Sequence, residues 1–270
     1  MRTIIACVAT ALALWGAGAP ASAAAGPRVL LDEGHGQRFL AGRSGQLDLS
    51  GLAALFREAG MEVRTSSGRF SLEALQGVEA LVISGPFVPL EPDEVKAVLT
   101  FVVGGGRLAL MLHVGQPLQG LLEALGIQYS RGPVHETAGL IGGRDLDFSV
   151  TRFAPHPVTD GLGSLSVFGC WSLRSANPDV KVIARTGEEA WLDSDGDGRR
   201  SPGEPVGSHG LVLAAGLGGG GYVVFGDDAI FQNSFLEAHN RDLGRRLARW
   251  LAGAPAPPAP PSKRPAGVKL

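Results

Sequence analysis

The first half of the chain alternates short apolar runs with amphipathic segments, and this alternation restricts the fold more than any other feature. The runs "RVLLD" (28–32), "EALVISGP" (79–86) and "RLALMLH" (107–113) are short and apolar, as buried parallel strands are. Between the first two, "DLSGLAALFREAG" (48–60) repeats apolar residues at helical spacing. Alternating strands and helices predict an α/β, flavodoxin-like fold: a mostly parallel sheet with helices on both faces.

The remaining segments extend this pattern unevenly. Further predicted strands are 61–66 and 221–228, and further predicted helices are 71–77, 90–106, 116–126 and 233–253. The stretch 127–190 interrupts the alternation, because it contains mainly turns and short extended pieces. "GLGGGG" (216–221) lacks the G-K-[ST] ending of a phosphate-binding loop, so we interpret it as a turn between strands.

Both ends of the chain differ in composition from the middle. Residues 1–24 combine Arg2, an apolar run and the small-residue pattern "ASA", which predicts a signal peptide and an exported, periplasmic or secreted protein. A lipoprotein anchor at Cys7 is the alternative, but it leaves almost no apolar run before the cysteine. Residues 254–270 are proline-rich and predict a disordered tail. The folded domain is therefore predicted to span 25–253.

The charge and cysteine content exclude several classes of protein. The chain has 24 basic and 26 acidic residues, and removing the signal peptide removes one basic residue, which gives a net charge of −3. This balance predicts no nucleic-acid partner. After signal removal Cys170 is the single cysteine, so no intramolecular disulfide can form. Its apolar neighbours in "VFGCWSL" indicate a buried small side chain, with a catalytic nucleophile as the alternative.

Three segments together resemble a known family. They are "LVISGPFVPLEPDEVKAVLTFVVGGGRLALML" (81–112), "HPVTDGL" (156–162) and "GYVVFGDDAIFQNSFLEAHNRDLGRRLARWLAG" (221–253). They are similar to DUF4350-type domains and to the domain of gliding-motility and ABC-transport accessory proteins, within the class I glutamine amidotransferase-like superfamily. The opening "VLLDEGHGQRF" (29–39) also resembles the first strand and loop of DUF4350 domains. This resemblance implies a flavodoxin-like sheet and a non-catalytic binding role in the cell envelope.

The chain departs from the catalytic members of that superfamily at one turn. Those members carry a cysteine in a G-x-C-x-G turn after a strand, whereas this chain has "HVGQP" (113–117) after the corresponding strand. His113 stands at the turn, and no cysteine is present there. A nucleophile needs an exposed turn and a neighbouring base. The departure predicts that glutaminase chemistry is absent.

Polar side chains follow four of the predicted strands. Ligands of open α/β sheets bind beyond the carboxyl ends of the strands, so these residues predict a strand-end crevice. Its members are Asp32, Glu33, His35, Ser84, Gly85, His113, Asp227 and Asp228. Carboxylates and imidazoles could act there as acid, base or metal ligands, and the candidates for catalysis are Asp32, His35, His113 and Asp227. Without H-x-H or H-E-x-x-H spacing, a polar crevice that binds an unknown small ligand or an envelope protein is favoured.

The stretch "DSDGDGRRSPGE" (193–204) has the ligand spacing of an EF-hand calcium loop. The predicted calcium ligands are Asp193, Asp195, Asp197, the Arg199 carbonyl, Ser201 and Glu204. Gly198 falls at the sixth position, where such loops turn sharply. Arg200 and Pro202 are unusual for the motif, and the flanks are strand-like, so the alternative is an acidic solvated turn. We expect a local calcium-stabilised loop.

These inferences give two alternative functions. The first is an exported binding domain of the cell envelope, without catalysis, stabilised by calcium. The second is an envelope hydrolase acting on a sugar or peptide-like substrate through the aspartates and histidines of the strand-end crevice.

Overall fold

The computed structural model describes residues 26–253. The predicted signal peptide and the proline-rich tail lie outside this range. Fourteen strands and four α-helices are present within it. The strands are β1 Arg28–Asp32, β2 Glu62–Ser66, β3 Ala80–Ser84, β4 Arg107–Met111, β5 Ile127–His135, β6 Leu140–Ile141, β7 Arg144–Val150, β8 Arg152–Phe153, β9 Leu165–Phe168, β10 Trp171–Ser175, β11 Lys181–Arg185, β12 Trp191–Leu192, β13 Gly210–Leu217 and β14 Gly220–Phe225. The helices are α1 Ser50–Glu58, α2 Pro92–Val103, α3 Gln119–Ala124 and α4 Ala238–Leu251.

One half of the main sheet is parallel, in the order β14-β4-β3-β1-β2. Successive side chains of a strand point to opposite faces, and β1 therefore contributes to two cores. Leu31 packs with Phe56 of α1 and Leu247 of α4 in one core. Leu30 lies in the other, together with Val98 of α2 and apolar residues of α3. The predicted strands 28–32, 61–66, 79–86, 107–113 and 221–228 are all present in this half.

The other half of the sheet is antiparallel, and it makes the flavodoxin-like prediction wrong. Strands β5, β10, β11, β12 and β13 pair antiparallel with their neighbours, within a sheet of 11 strands. A second sheet of 3 strands, β6-β7-β9, adds two further antiparallel pairs. The molecule is therefore rich in β-structure, with a mixed sheet and few helices. The stretch 127–190 that looked like turns supplies most of these extra strands.

Two local predictions have different outcomes. Residues 71–77 form consecutive turns instead of the predicted helix, because Gly77 at φ +67 ends the segment after too few residues to offset the cost of helix nucleation. The glycines of 216–221 do join β13 to β14 in an antiparallel hairpin, as predicted. The sequence predicts no transmembrane span after signal removal, and within residues 26–253 no helix is long and apolar enough to cross a membrane.

Candidate functional site

The parallel strands bring the predicted residues of the strand-end crevice to one edge of the sheet. Ser84 at the end of β3 is in register with Met111 of β4, and Met111 is in register with Phe225 of β14. Asp32 ends β1, the next strand along. The loops that follow these strands carry the crevice residues, and they gather them into two separate histidine clusters.

The first cluster, which we call the His35 cluster, consists of Asp32, His35 and Glu94. The His35 Nδ1 atom lies 2.9 Å from Asp32 Oδ2, and Nε2 lies 3.1 Å from Glu94 Oε1. The side chains are 4 % exposed for His35, 0 % for Asp32 and 2 % for Glu94. Both imidazole nitrogens are therefore occupied inside the protein, and no reactive atom of the cluster faces solvent.

Backbone contacts explain why the His35 cluster forms. Glu94 is the third residue of α2 and belongs to its capping box, in which Oε2 accepts the Glu91 N–H. Its Oε1 atom also accepts the Phe70 N–H. Burial opposes ionisation of His35, but the hydrogen bonds and charges of Asp32 and Glu94 outweigh burial and raise its pKa above 6.5. The cluster ties the loop after β1 to the first turn of α2.

The second cluster, which we call the His113 cluster, consists of His113, Asp227 and Asp228. His113 Nδ1 lies 3.1 Å from Asp228 Oδ1. The His113 side chain is 37 % exposed and that of Asp228 is 3 % exposed. The imidazole therefore reaches solvent, while its hydrogen-bond partner is buried. The rings of Phe39 and Phe87 lie 5.5 Å and 5.1 Å from the imidazole.

The two aspartates of the His113 cluster lie in an unusually low dielectric. Burial, followed by the neighbouring Asp228 charge, raises the pKa of Asp227 to about 8. Burial also raises the pKa of Asp228, although the hydrogen bond from His113 opposes this. That hydrogen bond raises the pKa of His113. Burial therefore favours the neutral form of Asp227, and the hydrogen bond to Asp228 favours the protonated form of His113.

The backbone fixes both aspartates. Asp227 accepts the Phe168 N–H at 2.7 Å and the Ala229 N–H at 2.8 Å, so its two oxygens hold loops together. Asp228 Oδ2 is buried without a hydrogen-bond partner in the described part of the chain. Gly85, at φ +54, lies against this oxygen, where a Cβ would collide with it. Gly85 is therefore required for the aspartate to approach His113.

The other predicted crevice residues have structural roles. Glu33 accepts the Ala41 N–H at 2.9 Å and orders the loop after β1. Ser84 is 6 % exposed at the end of β3.

Cys170 is 1 % exposed, and burial, with a contribution from Asp227, raises the pKa of its thiol well above the usual value. A buried neutral thiol agrees with the structural interpretation of Cys170.

The calcium-type loop gathers three of its predicted ligands. One carboxylate oxygen from each of Asp193, Asp195 and Asp197 lies within 4.8 Å of the others. Asp193 is buried and accepts the Gly196 and Gly198 N–H groups, and the latter belongs to the sixth position of the motif. The oxygen-only donor set fits a hard cation such as Ca²⁺. The aspartate spacing thus predicted a real cluster.

The rest of the predicted calcium ligands are arranged differently. The Glu204 carboxylate accepts the Ser194 N–H at 2.7 Å and the Ser201 N–H at 2.9 Å. It bridges the two ends of the loop and stands apart from the three-aspartate group. The Arg199 N–H donates to Asp197 Oδ1 at 2.7 Å. Glu204 therefore acts here as a clamp on backbone amides.

Sequence reasoning missed several residues of these sites. Glu94 was not considered, although its place in the capping box was visible in "EPDE". Phe39 and Phe87 were missed because loop residues carry no periodicity. His135, 2 % exposed, stacks on Trp191 at 4.1 Å, and its Nε2 lies 3.8 Å from Asp193 Oδ2 beneath the calcium-type loop. No local pattern connects residues so distant in sequence.

Solved structures share this fold at low sequence identity. The mmIFT52 N-terminal domain superposes with a TM-score of 0.68 and 16% identity, covering 83% of this chain and 97% of that one. A ThuA-like protein from Bacteroides uniformis ATCC 8492 gives a TM-score of 0.50 and 13% identity, covering 87% and 95%. Identities this low show a common fold and nothing about activity.

The comparison with family models identifies the family. No curated protein matches the chain. The comparisons give no support for the predicted membership of the amidotransferase-like superfamily or for an EF-hand relationship of the loop, which both stay predictions. The model of the domain of unknown function DUF4350 matches residues 45–252. Since this match covers more than half of the chain and agrees with the predicted resemblance, the protein belongs to the DUF4350 family.

Proposed function

We propose that the protein is an exported, non-catalytic binding domain of the cell envelope, and that His113 binds a small anionic ligand. The observation that carries the proposal is the half-exposed His113 imidazole, which is held at Nδ1 by the buried Asp228 at 3.1 Å. This contact orients the ring and leaves Nε2 free of a partner within residues 26–253, so that Nε2 donates to a ligand when the imidazole is protonated. The aromatic rings of Phe39 and Phe87 supply an apolar wall, as small-molecule sites usually have.

The local charge favours an anion over a cation. The charge of Asp228 offsets that of protonated His113, and burial favours the neutral form of Asp227 by raising its pKa to about 8. The Arg38 guanidinium lies 4.5 Å from the centroid of the Phe87 ring, which lies 5.1 Å from the imidazole. This guanidinium adds a positive charge and a planar donor that suits carboxylate or phosphate.

The lack of a nucleophile supports binding without catalysis. In the region 26–253, the single hydrogen bond of the His113 imidazole goes to a carboxylate, and no serine, threonine or cysteine bonds to it. Cys170 is buried, and its pKa is raised. Covalent catalysis needs a nucleophile and a base within hydrogen-bond reach.

Titration calorimetry with inorganic phosphate and acetate tests this proposal. We expect the full chain to bind at least one of them at pH 6, with the affinity reduced about ten- to a hundredfold by Arg38→Ala, because one charge-assisted hydrogen bond is worth about 1.5–3 kcal/mol. His113→Ala should abolish binding. Arg43→Ala is the matched control, since Arg43 is exposed in the same loop. Absence of binding, or equal binding by His113→Ala, would contradict the proposal.

A hydrolase is the second candidate, and the raised pKa values favour it. An aspartate with a pKa of about 8 beside a histidine–carboxylate pair resembles the perturbed groups of active sites. His113 would then activate water as a general base. If the protein only binds its ligand, the parent protein should hydrolyse p-nitrophenyl acetate and p-nitrophenyl glycosides no faster than the His113→Ala variant does. A rate that falls in this variant and follows His113 ionisation would favour the enzyme.

We also propose that Ca²⁺ stabilises the calcium-type loop. Three clustered carboxylates repel one another, so a bound cation would remove this repulsion and order the connection between β12 and β13. Asp195 and Asp197 are exposed, and a cation could reach them without unfolding. Extracellular sites of this kind bind at about 10⁻⁴–10⁻³ M.

The melting temperature in 5 mM CaCl₂ and in chelator tests the calcium proposal. A site with a Kd of roughly 10⁻⁴–10⁻³ M should gain about 1–2 kcal/mol at this concentration. Asp195→Asn should remove the gain. It is a better variant than Asp193→Ala, because Asp193 also caps two amides. Glu189→Gln, an exposed carboxylate outside the loop, should keep the gain, and an equal loss there would contradict a specific site.

The proposed export depends on the N-terminal sequence alone. Expression of the full chain in a Gram-negative host and N-terminal sequencing of the periplasmic product tests it. We expect cleavage after Ala23 or Ala24, and an uncleaved cytoplasmic product would contradict export.

A further inference from the structure

A large groove lies beside the His113 cluster, on the antiparallel half of the sheet. Its floor includes residues of β5 and β10, and one wall is formed by α3 and the turn that precedes it. Its volume of about 1100 Å³ exceeds the range of about 300–1,000 Å³ that is usual for drug-sized ligands. The groove is also partly open to solvent. It therefore suits a chain-like ligand better than a single small molecule.

Two aromatic side chains occupy fixed positions in this groove. Trp171 donates its indole N–H to the His113 carbonyl at 3.0 Å. The ring of Tyr129 meets the indole edge-on, with centroids 6.2 Å apart and planes at 88°. Gly115 lies directly against the Tyr129 ring, where any side chain would collide. Both rings are partly exposed, so they present rigid apolar surfaces to a ligand.

Two pairs of planar polar side chains also line the groove, and the strand register places the Gln128–Arg174 pair on the opposite face of the sheet from Tyr129. Gln119 Nε2 donates to Glu123 Oε1 at 2.8 Å, and Arg174 Nε donates to Gln128 Oε1 at 3.0 Å. All four side chains line the groove. Each pair uses part of its hydrogen-bonding capacity and keeps further donors and acceptors side by side. Neighbouring hydroxyl groups of a sugar ring require this arrangement, because each hydroxyl both donates and accepts.

The charge of the groove excludes strongly charged polymers. Glu123 opposes Arg131 and Arg174 among its lining residues, so the groove has no field of one sign. Nucleic acids and other polyanions need a continuous basic surface. An uncharged chain with apolar ring faces and many hydroxyl groups matches both the aromatic rings and the polar pairs.

We propose that this groove binds an unbranched neutral oligosaccharide, with sugar rings stacked on Tyr129 and Trp171 and hydroxyl groups bonded to the Gln119–Glu123 pair. The site is separate from the anion site proposed at His113. The indole N–H of Trp171 donates to the backbone carbonyl of His113, and a side-chain substitution at His113 retains this carbonyl.

Calorimetry with the full chain and a set of hexasaccharides tests the proposal. The probes are linear hexamers of β-1,4-glucose, β-1,4-xylose, β-1,4-N-acetylglucosamine and α-1,4-glucose, with their monosaccharides and an uncharged decapeptide. We expect a Kd below about 1 mM for at least one hexamer, and binding at least about tenfold weaker for its monosaccharide. Tyr129→Ala should weaken binding by about three- to tenfold, as expected for the loss of one stacked ring.

Matched variants separate the groove from the fold and from the His113 site. Tyr129→Phe keeps the ring and should bind within about twofold of the parent protein. His113→Ala should also keep oligosaccharide binding while losing the anion, so failure of one proposal leaves the other distinguishable. Gln119→Ala removes one polar partner at an exposed position and should weaken binding without unfolding. Absence of hexamer binding, tighter binding of the decapeptide, or unchanged affinity in Tyr129→Ala would overturn the proposal.

Discussion

The His35 cluster and the His113 cluster lie at the same edge of the sheet, and each combines one histidine with two carboxylates. They differ in the exposure of the imidazole and in the number of carboxylates that contact it. The His35 imidazole is 4 % exposed and is contacted by a carboxylate at each nitrogen. The His113 imidazole is 37 % exposed and is contacted by a carboxylate at one nitrogen. A second carboxylate contact and the loss of solvent exposure therefore make His35 a structural residue, whereas His113 can still contact a ligand.

The difference shows that the second partner of a histidine decides its role more than its position in the fold. At the His35 cluster the second partner is Glu94 of α2, which also accepts two backbone N–H groups. At the His113 cluster no such residue among 26–253 bonds to Nε2, and the rings of Phe39 and Phe87 lie beside the imidazole instead. We therefore assign stability to the first cluster and ligand binding to the second.

Removing Glu94 should have the largest effect. Glu94→Ala leaves the buried His35 Nε2 without its partner and removes the acceptor of two backbone N–H groups, so we expect a loss of about 3–5 kcal/mol in the free energy of unfolding. Urea denaturation measures it. Asp93→Ala, at the exposed neighbouring position, should cost less than about 0.5 kcal/mol. Similar small losses in both variants would contradict the structural role of the cluster.

The pH dependence of stability should also distinguish the two clusters. The folded-state pKa of His35 is raised above 6.5, so its contribution is complete below pH 6.5 and is lost as the pH rises through the folded value. Backbone N–H groups and His35 outweigh burial and lower the pKa of Glu94 below 4.5. Its contribution is present above pH 4.5 and is lost as the pH falls through the folded value.

The contributions of His35 and Glu94 to the free energy of unfolding are both complete between about pH 4.5 and 6.5, so the His35 cluster should stabilise the protein most in this range. Urea denaturation from pH 4 to 8 measures the profile. In the parent protein the free energy of unfolding should decline above pH 6.5, and His35→Gln should reduce this decline. His113→Gln should reduce the decline less, because His113 is partly exposed. A steeper change in His113→Gln would reverse our assignment.

Gly85→Ala should have an intermediate effect, at the His113 cluster. The position has φ +54 and its Cβ would collide with Asp228 Oδ2, so we expect a loss of about 1–2 kcal/mol from the backbone conformation alone. Displacement of Asp228 should also weaken anion binding. Gly60→Ala is the matched control, since Gly60 has φ +81 and open space around it. Equal loss of binding in both variants would contradict a specific contact.

The strand predictions succeeded where the sequence pattern is local. Each parallel strand is buried on both faces, so "RVLLD" or "RLALML" is apolar throughout and is visible without any partner. Most of the antiparallel strands are not apolar throughout, so they cannot be recognised in the sequence in the same way. In β5, exposed Gln128 and Arg131 alternate irregularly with Gly132 and Pro133, and its pairing with β10 contains an irregular register. The resulting mixture resembled loops, and the fold class was wrong for that reason.

The functional residues were predictable only in part. The strand-end rule identified Asp32, His35, His113 and Asp228, because the parallel half of the sheet was correctly recognised. The division into two clusters was not predictable, since it depends on Glu94 from a helix and on aromatic rings from loops. The aspartates of the calcium-type loop were predictable from spacing alone, whereas the role of Glu204 as an amide clamp depends on how the loop closes.

The most direct test of the assignment is a histidine NMR titration of the full chain, with and without phosphate. We expect the His113 ring signals to titrate above pH 6.5 and to move when phosphate is added, with both effects reduced in Asp228→Asn. The His35 signals should not respond to phosphate, because both nitrogens are internally bonded. Signals of His113 that ignore phosphate while those of His35 respond would contradict the division of roles between the two clusters.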